Sequence, residues 1–254
     1  MDTTIHTIDE SNVNRFGFFC YKSKTKTAGY KQKREWLESC LAEGLQLKII
    51  YEGSRSAGFI EYTPGEYTWR VVDAPGYMVI HCMWVVGSSK GKGYGARLLE
   101  QVLDEAKNKG MYGVVVISSQ STWLVKNSFF LHHGFESVDH APPSFELLVR
   151  RFGSGNLPTF PQDWDVRLMR FPSGLVVYHS GQCPYHAMFV SSLVNTANQM
   201  GLPVRTVELK TCQEVRGLSP SANGVFSVVK DGQLLSSRPI GGKTLREMLE
   251  KENG

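Results

Sequence analysis

The amino-acid sequence predicts an α/β (α+β) protein of two successive domains, the first larger than the second. Two features carry this. Apolar runs of strand length alternate with segments of helical period along the chain, and residues 151–164, RFGSGNLPTFPQDW, interrupt both periods with Gly, Ser, Asn and two Pro residues. A chain of 254 residues with 41% hydrophobic content is long enough for two cores. The expected organisation is a domain over 1–152, a linker over 153–164 and a domain over 165–254.

In the first domain a strand is expected near Ile5, followed by helical material over about residues 9–45 that a basic stretch interrupts. LQLKIIYE and SAGFIEY, separated by a turn at 53–56, read as consecutive strands, and YMVIHCMWVV as a longer, mostly buried one. A glycine turn leads into a helix over 94–108, whose apolar stripe is Ala96, Leu98, Leu99, Val102, Leu103 and Ala106. The strand YGVVVIS, a helix over 123–132 and a last strand FELLVRR follow. After the linker come a strand GLVVYHS, a helix over 185–200, a strand PVRTVEL and a short helix near 211–217. The hairpin GVFSVVKDGQLLSSRP turns at Asp231-Gly232, and the helix KTLREMLEK closes the sequence.

The net charge of +4 is dispersed, and only YKSKTKTAGYKQKR at 21–34 is locally basic, so no nucleic-acid partner is expected. No apolar run approaches the roughly 20 residues of a membrane helix, and the start MDTTIHTIDESN has no basic region followed by an apolar one. The expectation is a cytoplasmic protein that meets no membrane. Cys20, Cys40, Cys82, Cys183 and Cys212 are spread out with no CxxC pair, which suggests reduced thiols and no metal site.

In KGKGYG, Lys90, Gly91, Lys92, Gly93, Tyr94 and Gly95, with Ala96 beyond, span a strand-to-helix corner. The first N–H groups of a helix have no intrahelical partner and carry the positive end of its dipole. Bare glycines let a phosphate approach those donors, while Lys90 and Lys92 add charge at the rim. The spacing suits neither a Walker loop, which needs Lys-Ser/Thr after its last glycine, nor a dinucleotide GxGxxG turn. It resembles motif A of the GNAT acyl-CoA N-acyltransferases, Arg/Gln-x-x-Gly-x-Gly/Ala, with Lys90 in the first place. FFLHHGF, residues 129–135, resembles the family's second motif.

This resemblance covers about residues 1–152. It implies a GNAT mixed central sheet flanked by helices, acetyl-CoA as co-substrate, and a small-molecule or peptide amine as acceptor. The pyrophosphate would lie on the N–H groups of Gly91 to Gly95, and peptide groups at Val85 and Val86 would bond the pantetheine and the thioester carbonyl. The family's frequent acid, a Tyr four residues before Gly-Phe, is replaced by Phe130. His132 and His133, at the helix end, read as capping or surface residues. For the base, Glu61 and His81 stand out as titratable groups within apolar strands flanking the implied acceptor side; the alternative is a satisfied core histidine beside a strand-edge glutamate. Trp69, Arg70 and Trp84 are further candidates to shape the acceptor pocket, Arg70 for a carboxylate.

Beyond the linker, Cys183-Pro184-Tyr185-His186 at a strand-to-helix turn resembles the Cys-Pro-Tyr-Cys of thioredoxins and glutaredoxins. This implies a smaller thioredoxin-like α/β domain, and the pairing of domains resembles acetyltransferases with a so-called YoaP-like C-terminal domain. His186 replaces the second cysteine, which excludes dithiol exchange, and the proline expected before the hairpin is replaced by Gly224. Either the helix dipole and a protonated His186 favour a Cys183 thiolate, or the cysteine is inert in a fold reused for binding. The leading expectation is an acetyl-CoA-dependent N-acetyltransferase working by direct attack of a primary amine. The rivals are a monothiol redox protein using Cys183 and a CoA-binding module without turnover.

Overall fold

The computed structural model describes residues 2–120 and 123–252; residues 1, 121–122 and 253–254, within the two expected domains, lie outside the described residues. The elements of the larger part are β1 (Thr3–Ile8), α1 (Val13–Phe16), α2 (Ala28–Ala42), β2 (Gln46–Glu52), β3 (Arg55–Pro64), β4 (Tyr77–Val85), α3 (Tyr94–Asn108), β5 (Gly113–Ser119), α4 (Asn127–His132), β6 (Glu136–Ala141) and β7 (Phe145–Arg151). The second part contains α5 (Trp164–Leu168), β8 (Leu175–Ser180), α6 (His186–Gln199), β9 (Val204–Leu209), α7 (Cys212–Leu218), β10 (Phe226–Lys230), β11 (Gln233–Ser236) and α8 (Gly242–Glu252).

The chain divides into two compact units, but not at a single linker. One unit consists of Met1–Thr25, Leu37–Thr68 and Val72–Phe160; the other consists of Lys26–Trp36, Trp69–Val71 and Pro161–Gly254. The N-terminal half of α2 and three residues between β3 and β4 therefore belong with the second unit. Sequence periodicity follows neighbours along the chain, so it does not show such an exchange.

In the first unit seven strands form one mixed sheet in the order β1-β2-β3-β4-β5-β7-β6. Among the described residues, only β4 and β5 of this sheet run parallel. They are joined by α3, whose Leu98, Leu99, Val102, Leu103 and Ala106 recur at helical spacing and pack with Ile60, Met78, Ile80, Val114 and Val116. This is the mixed sheet flanked by helices that the sequence predicts. Two elements differ. The helix expected over 123–132 begins at Asn127, because Ser118 Oγ donates to Val125 O at 2.8 Å and holds the preceding residues outside the helix. Strand β6 has no forecast: ESVDHA buries only its last residue, as a polar edge strand can.

In the second unit four strands lie in the order β11-β10-β8-β9, with β8 and β9 parallel and the others antiparallel. Its core gathers Leu175, Val177, Leu193, Ala197, Phe226, Val228, Ile240, Leu245 and Leu249. Asp231 and Gly232 have φ of 49° and 77°, the paired left-handed conformation that lets a two-residue turn follow strand twist.

Candidate active site

Strands β4 and β5 pair only through Ile80 and Val116, although β4 continues to Val85 and β5 to Ser119. The cause is local. Glu61 of β3 faces Cys82 and Tyr62 faces Ile80, so His81 is an extra residue, a β-bulge placed where parallel pairing ends. A bulge bends its strand and increases the twist, which turns the end of β4 away from β5. Beyond it β4 stays with β3, and β5 stays with β7 through Ser119. The strand ends separate there, and a small cavity of about 20 Å³ between them is lined by Ile80, His81, Met83, Val116, Ile117 and Phe130 among others.

At the far end of β4 the chain passes through a 3-10 turn, Gly87–Ser89, and enters α3 with Gly93 as N-cap at φ 76°, ψ 4°. Among the described residues no side chain caps this helix, whose backbone bonding begins with Arg97 N–H to Gly93 O at 3.1 Å. A Cβ at Gly91 or Gly93 would meet nothing within 4 Å, so these positions are open, and both have positive φ. The corner thus offers uncapped donors, unshielded by side chains, to an anion.

The other expected residues of this corner separate by role. Gly95 is a packing glycine, since a Cβ there would lie 3.4 Å from Met83 and Phe129. The Tyr94 side chain is buried in the core, leaving only its main chain for a ligand, and Ala96 is partly buried in the first turn. Lys90 lies over the exposed ring of Trp84, 5.4 Å from its centroid. Lys92 is instead tied to Glu52, at 2.7 and 2.9 Å, so its charge is largely compensated; that contact holds the Glu52 carboxyl below its ordinary range. Val86 is a correction, because its N–H donates to Ala57 O and its carbonyl accepts from Ser89 N–H, both at 2.9 Å. Since Val86 N–H points to β3, strand alternation aims the peptide groups of Val85 to the open side.

Glu61 and His81 are brought together. Both are almost wholly buried, with His81 Nδ1 4.0 Å from Glu61 Oε1 and His81 Nε2 3.2 Å from Thr68 Oγ1. A proton on Nδ1, the side that faces Glu61, would leave Nε2 to accept from the Thr68 hydroxyl. The sequence reading missed Thr68, which the fold reveals by bringing the segment after β3 against β4.

Residues 14–135 match the model of the acetyltransferase (GNAT) family. The chain is also 30% identical over 208 residues, 81% of its own length and 81% of the relative's, to a protein described as the uncharacterized N-acetyltransferase YoaP of Bacillus subtilis. The chain belongs to the GNAT acetyltransferase family. A further relative, 28% identical over 120 residues, is the L-methionine sulfoximine/L-methionine sulfone acetyltransferase of Salmonella typhimurium; the match covers 46% of this chain and 66% of that protein. Among solved structures, a GNAT acetyltransferase from Brucella melitensis in complex with acetyl-CoA is 14% identical, covering 63% of this chain and 97% of that one at a TM-score of 0.39.

Within the GNAT domain, Phe130 lies in the core against Phe129 and Phe135, with one edge on the cleft, and has no proton to give. His133 does act as a cap: its Nδ1 lies 2.7 Å from Phe129 O one turn back. Arg70 is engaged with Asn223 in the second unit and is corrected as a carboxylate-binding candidate. Trp69 is buried beside Trp36 in that same unit.

Of the two readings left open for Cys183, the surroundings of His186 fit the second. His186 is buried, its Nδ1 lies 3.0 Å from Ser180 O, and its ring packs against Phe226. Burial pushes its pKa down to about 3, with His179, Arg70 and Lys33 adding to the effect against the Ser180 bond. The imidazole is neutral, so it supplies no positive charge to stabilise a Cys183 thiolate. Cys183 itself is only partly buried, and none of the five cysteines forms a disulfide.

Proposed function

We propose that this GNAT protein transfers the acetyl group of acetyl-CoA to a primary amine by direct attack. The observation that carries this reading is the coincidence of a strand cleft, opened by the His81 bulge, with an uncapped, side-chain-free helix N-terminus at its end. The main-chain N–H groups from Gly91 to Ala96 would hold the diphosphate, with Lys90 at the rim. The peptide groups of Val85 would pair with the pantetheine and oppose charge developing on the thioester oxygen. Acetyl-CoA supplies the activated acyl group.

An amine attacks only after losing its ammonium proton. His81 lines the cleft and has Glu61 behind it to balance the charge it gains, so His81 would accept that proton at Nε2, through the Thr68 hydroxyl. No acid is assigned, since Phe130 stands where the family resemblance implies a Tyr. The strand order β11-β10-β8-β9, with only β8 and β9 parallel, supports a thioredoxin-like second unit. The neutral His186 argues against thiol chemistry there and in favour of a binding or supporting role. A cytoplasmic location belongs to the same reading.

The test is thiol release from acetyl-CoA, followed with a panel of amines that includes L-methionine sulfone and sulfoximine, for which a relative is named. Amine-dependent release supports the proposal. Tight CoA binding with no turnover across amino acids, polyamines and peptides would leave a binding module in its place.

A further inference from the structure

The cavity between the ends of β4 and β5 is small, and the residues that line it all belong to the first unit. Strand β4 contributes Ile80 and Met83, β5 contributes Val116 and Ile117, and α4 contributes Phe130, with His81 and Cys82 beside them. Ile80, Met83, Val116 and Phe130 are also part of the core that packs with α3, so their positions are fixed by that packing. The volume is about 20 Å³. Counted in the same way a single water needs about 10–15 Å³, so the space takes one small group and no chain. Its walls are mainly hydrocarbon, which suits a methyl group better than water.

The wall made by α4 is firm. Phe130 is buried, and its ring meets those of Phe129 and Phe135 at 5.2 and 5.4 Å between centroids. Its carbonyl accepts from His133 N–H at 2.9 Å and from Phe135 N–H at 3.1 Å, which closes the end of the helix on it. At the other end, Ser118 Oγ donates to Val125 O at 2.8 Å, and Asn127 Nδ2 donates to Glu146 Oε2 of β7 at 2.6 Å. A ring held in this way does not swing aside without disturbing the core.

We propose that Phe130, with Val116, sets the length of the acyl group that this protein accepts, admitting acetyl and rejecting longer chains. The inference rests on the reading that the thioester lies at the separated ends of β4 and β5. A pantetheine paired with Val85 brings the thioester end into that gap, where the acyl chain meets the cavity. The methyl of an acetyl group fills the space, and the added carbons of a butyryl group meet Phe130 and Val116. The residue that stands in the place of a proton donor thus has a use of its own, as an apolar stop. One methylene too many in an apolar pocket changes binding by about 10- to 200-fold.

The experiment measures binding, which needs no acceptor amine. The full chain and its variants Phe130→Leu and Val116→Ala are titrated calorimetrically with CoA, acetyl-CoA, propionyl-CoA and butyryl-CoA. The parent is expected to bind acetyl-CoA at least as tightly as CoA, and butyryl-CoA about tenfold or more weakly than acetyl-CoA. Each variant widens the cavity and is expected to bring butyryl-CoA within about threefold of acetyl-CoA. A folded Phe130→Leu that keeps the parent's discrimination overturns the inference. Should Phe130→Leu fail to fold, Val116→Ala decides the question by the same criterion. A parent that binds CoA and every acyl-CoA alike overturns the inference alone; a parent that binds no CoA overturns the acetyl-transfer reading and the inference with it.

Discussion

Gly91, Gly93 and Gly95 sit on alternate positions of one turn and do different things. Gly91 and Gly93 have φ near +80° with open space around them, whereas Gly95 lets α3 pack against Met83 and Phe129. Gly93→Ala places a side chain in a left-handed conformation, at a cost of about 1–2 kcal/mol, and shifts the helix N-terminus. Calorimetry with CoA is expected to show weakening of about tenfold or more. Gly95→Val is expected to lower the melting temperature first, because its target is packing. The buried pair predicts a third pattern. His81→Gln removes the proton acceptor and is expected to reduce kcat by about 10²- to 10⁴-fold with the CoA dissociation constant unchanged; Glu61→Gln removes the balancing charge and is expected to fall in the same direction by less. An unchanged kcat in His81→Gln would discard the base assignment.

At the level of elements, the hairpin between β10 and β11 allows a test of sequence reasoning itself. Gly232 has φ 77°, and a Cβ there would lie 2.6 Å from the sulfur of Met169. Gly232→Ala is expected to destabilise the second unit by about 1–3 kcal/mol in urea unfolding, with CoA binding intact. That turn was legible because Asp-Gly between apolar runs needs no distant partner to be read. The same is true of α3, whose stripe gives both its ends and its buried face. The bulge at His81 was not legible, since a bulge is a relation between two strands and leaves no mark in one strand's alternation. Edge strand β6 was missed because its polar residues carry no period. Glu61 and His81 could each be singled out in the sequence, but neither their pairing nor Thr68 could, because Thr68 reaches His81 only through the turn that follows β3. Likewise the assignment of Lys26–Trp36 and Trp69–Val71 to the second unit follows from tertiary contacts that local pattern does not encode.

For the whole molecule, carboxylates with lowered pKa lie in both units, while the histidines with a depressed pKa, His179 and His186, lie in the second, so acid should weaken the second unit in a pH window of its own. In the second unit, burial depresses the pKa of His186 to about 3, and that of His179 below its ordinary value. The unfolded chain takes up these protons near pH 6.5 while the folded unit does not, so stability present above about pH 6.5 is lost as pH falls toward 3. One such histidine gives a slope of up to about 1.4 kcal/mol per pH unit. In the first unit Lys92 lowers Glu52, and Lys109 with the Tyr62 hydroxyl lowers Glu105 despite its burial, whereas burial raises Glu43 and Tyr62. The contribution of Glu52 and Glu105 is complete above the ordinary carboxylate range near pH 4.3 and fades only below it. Hydrogen exchange between pH 7 and 5 should accordingly show protection falling in β8, α6 and β10 while β2, β3 and α3 hold. The second set should loosen only on further acidification. His186→Gln, which cannot take up a proton, should flatten the first response; a pH dependence in β8 and α6 that survives this substitution would mean another group governs it.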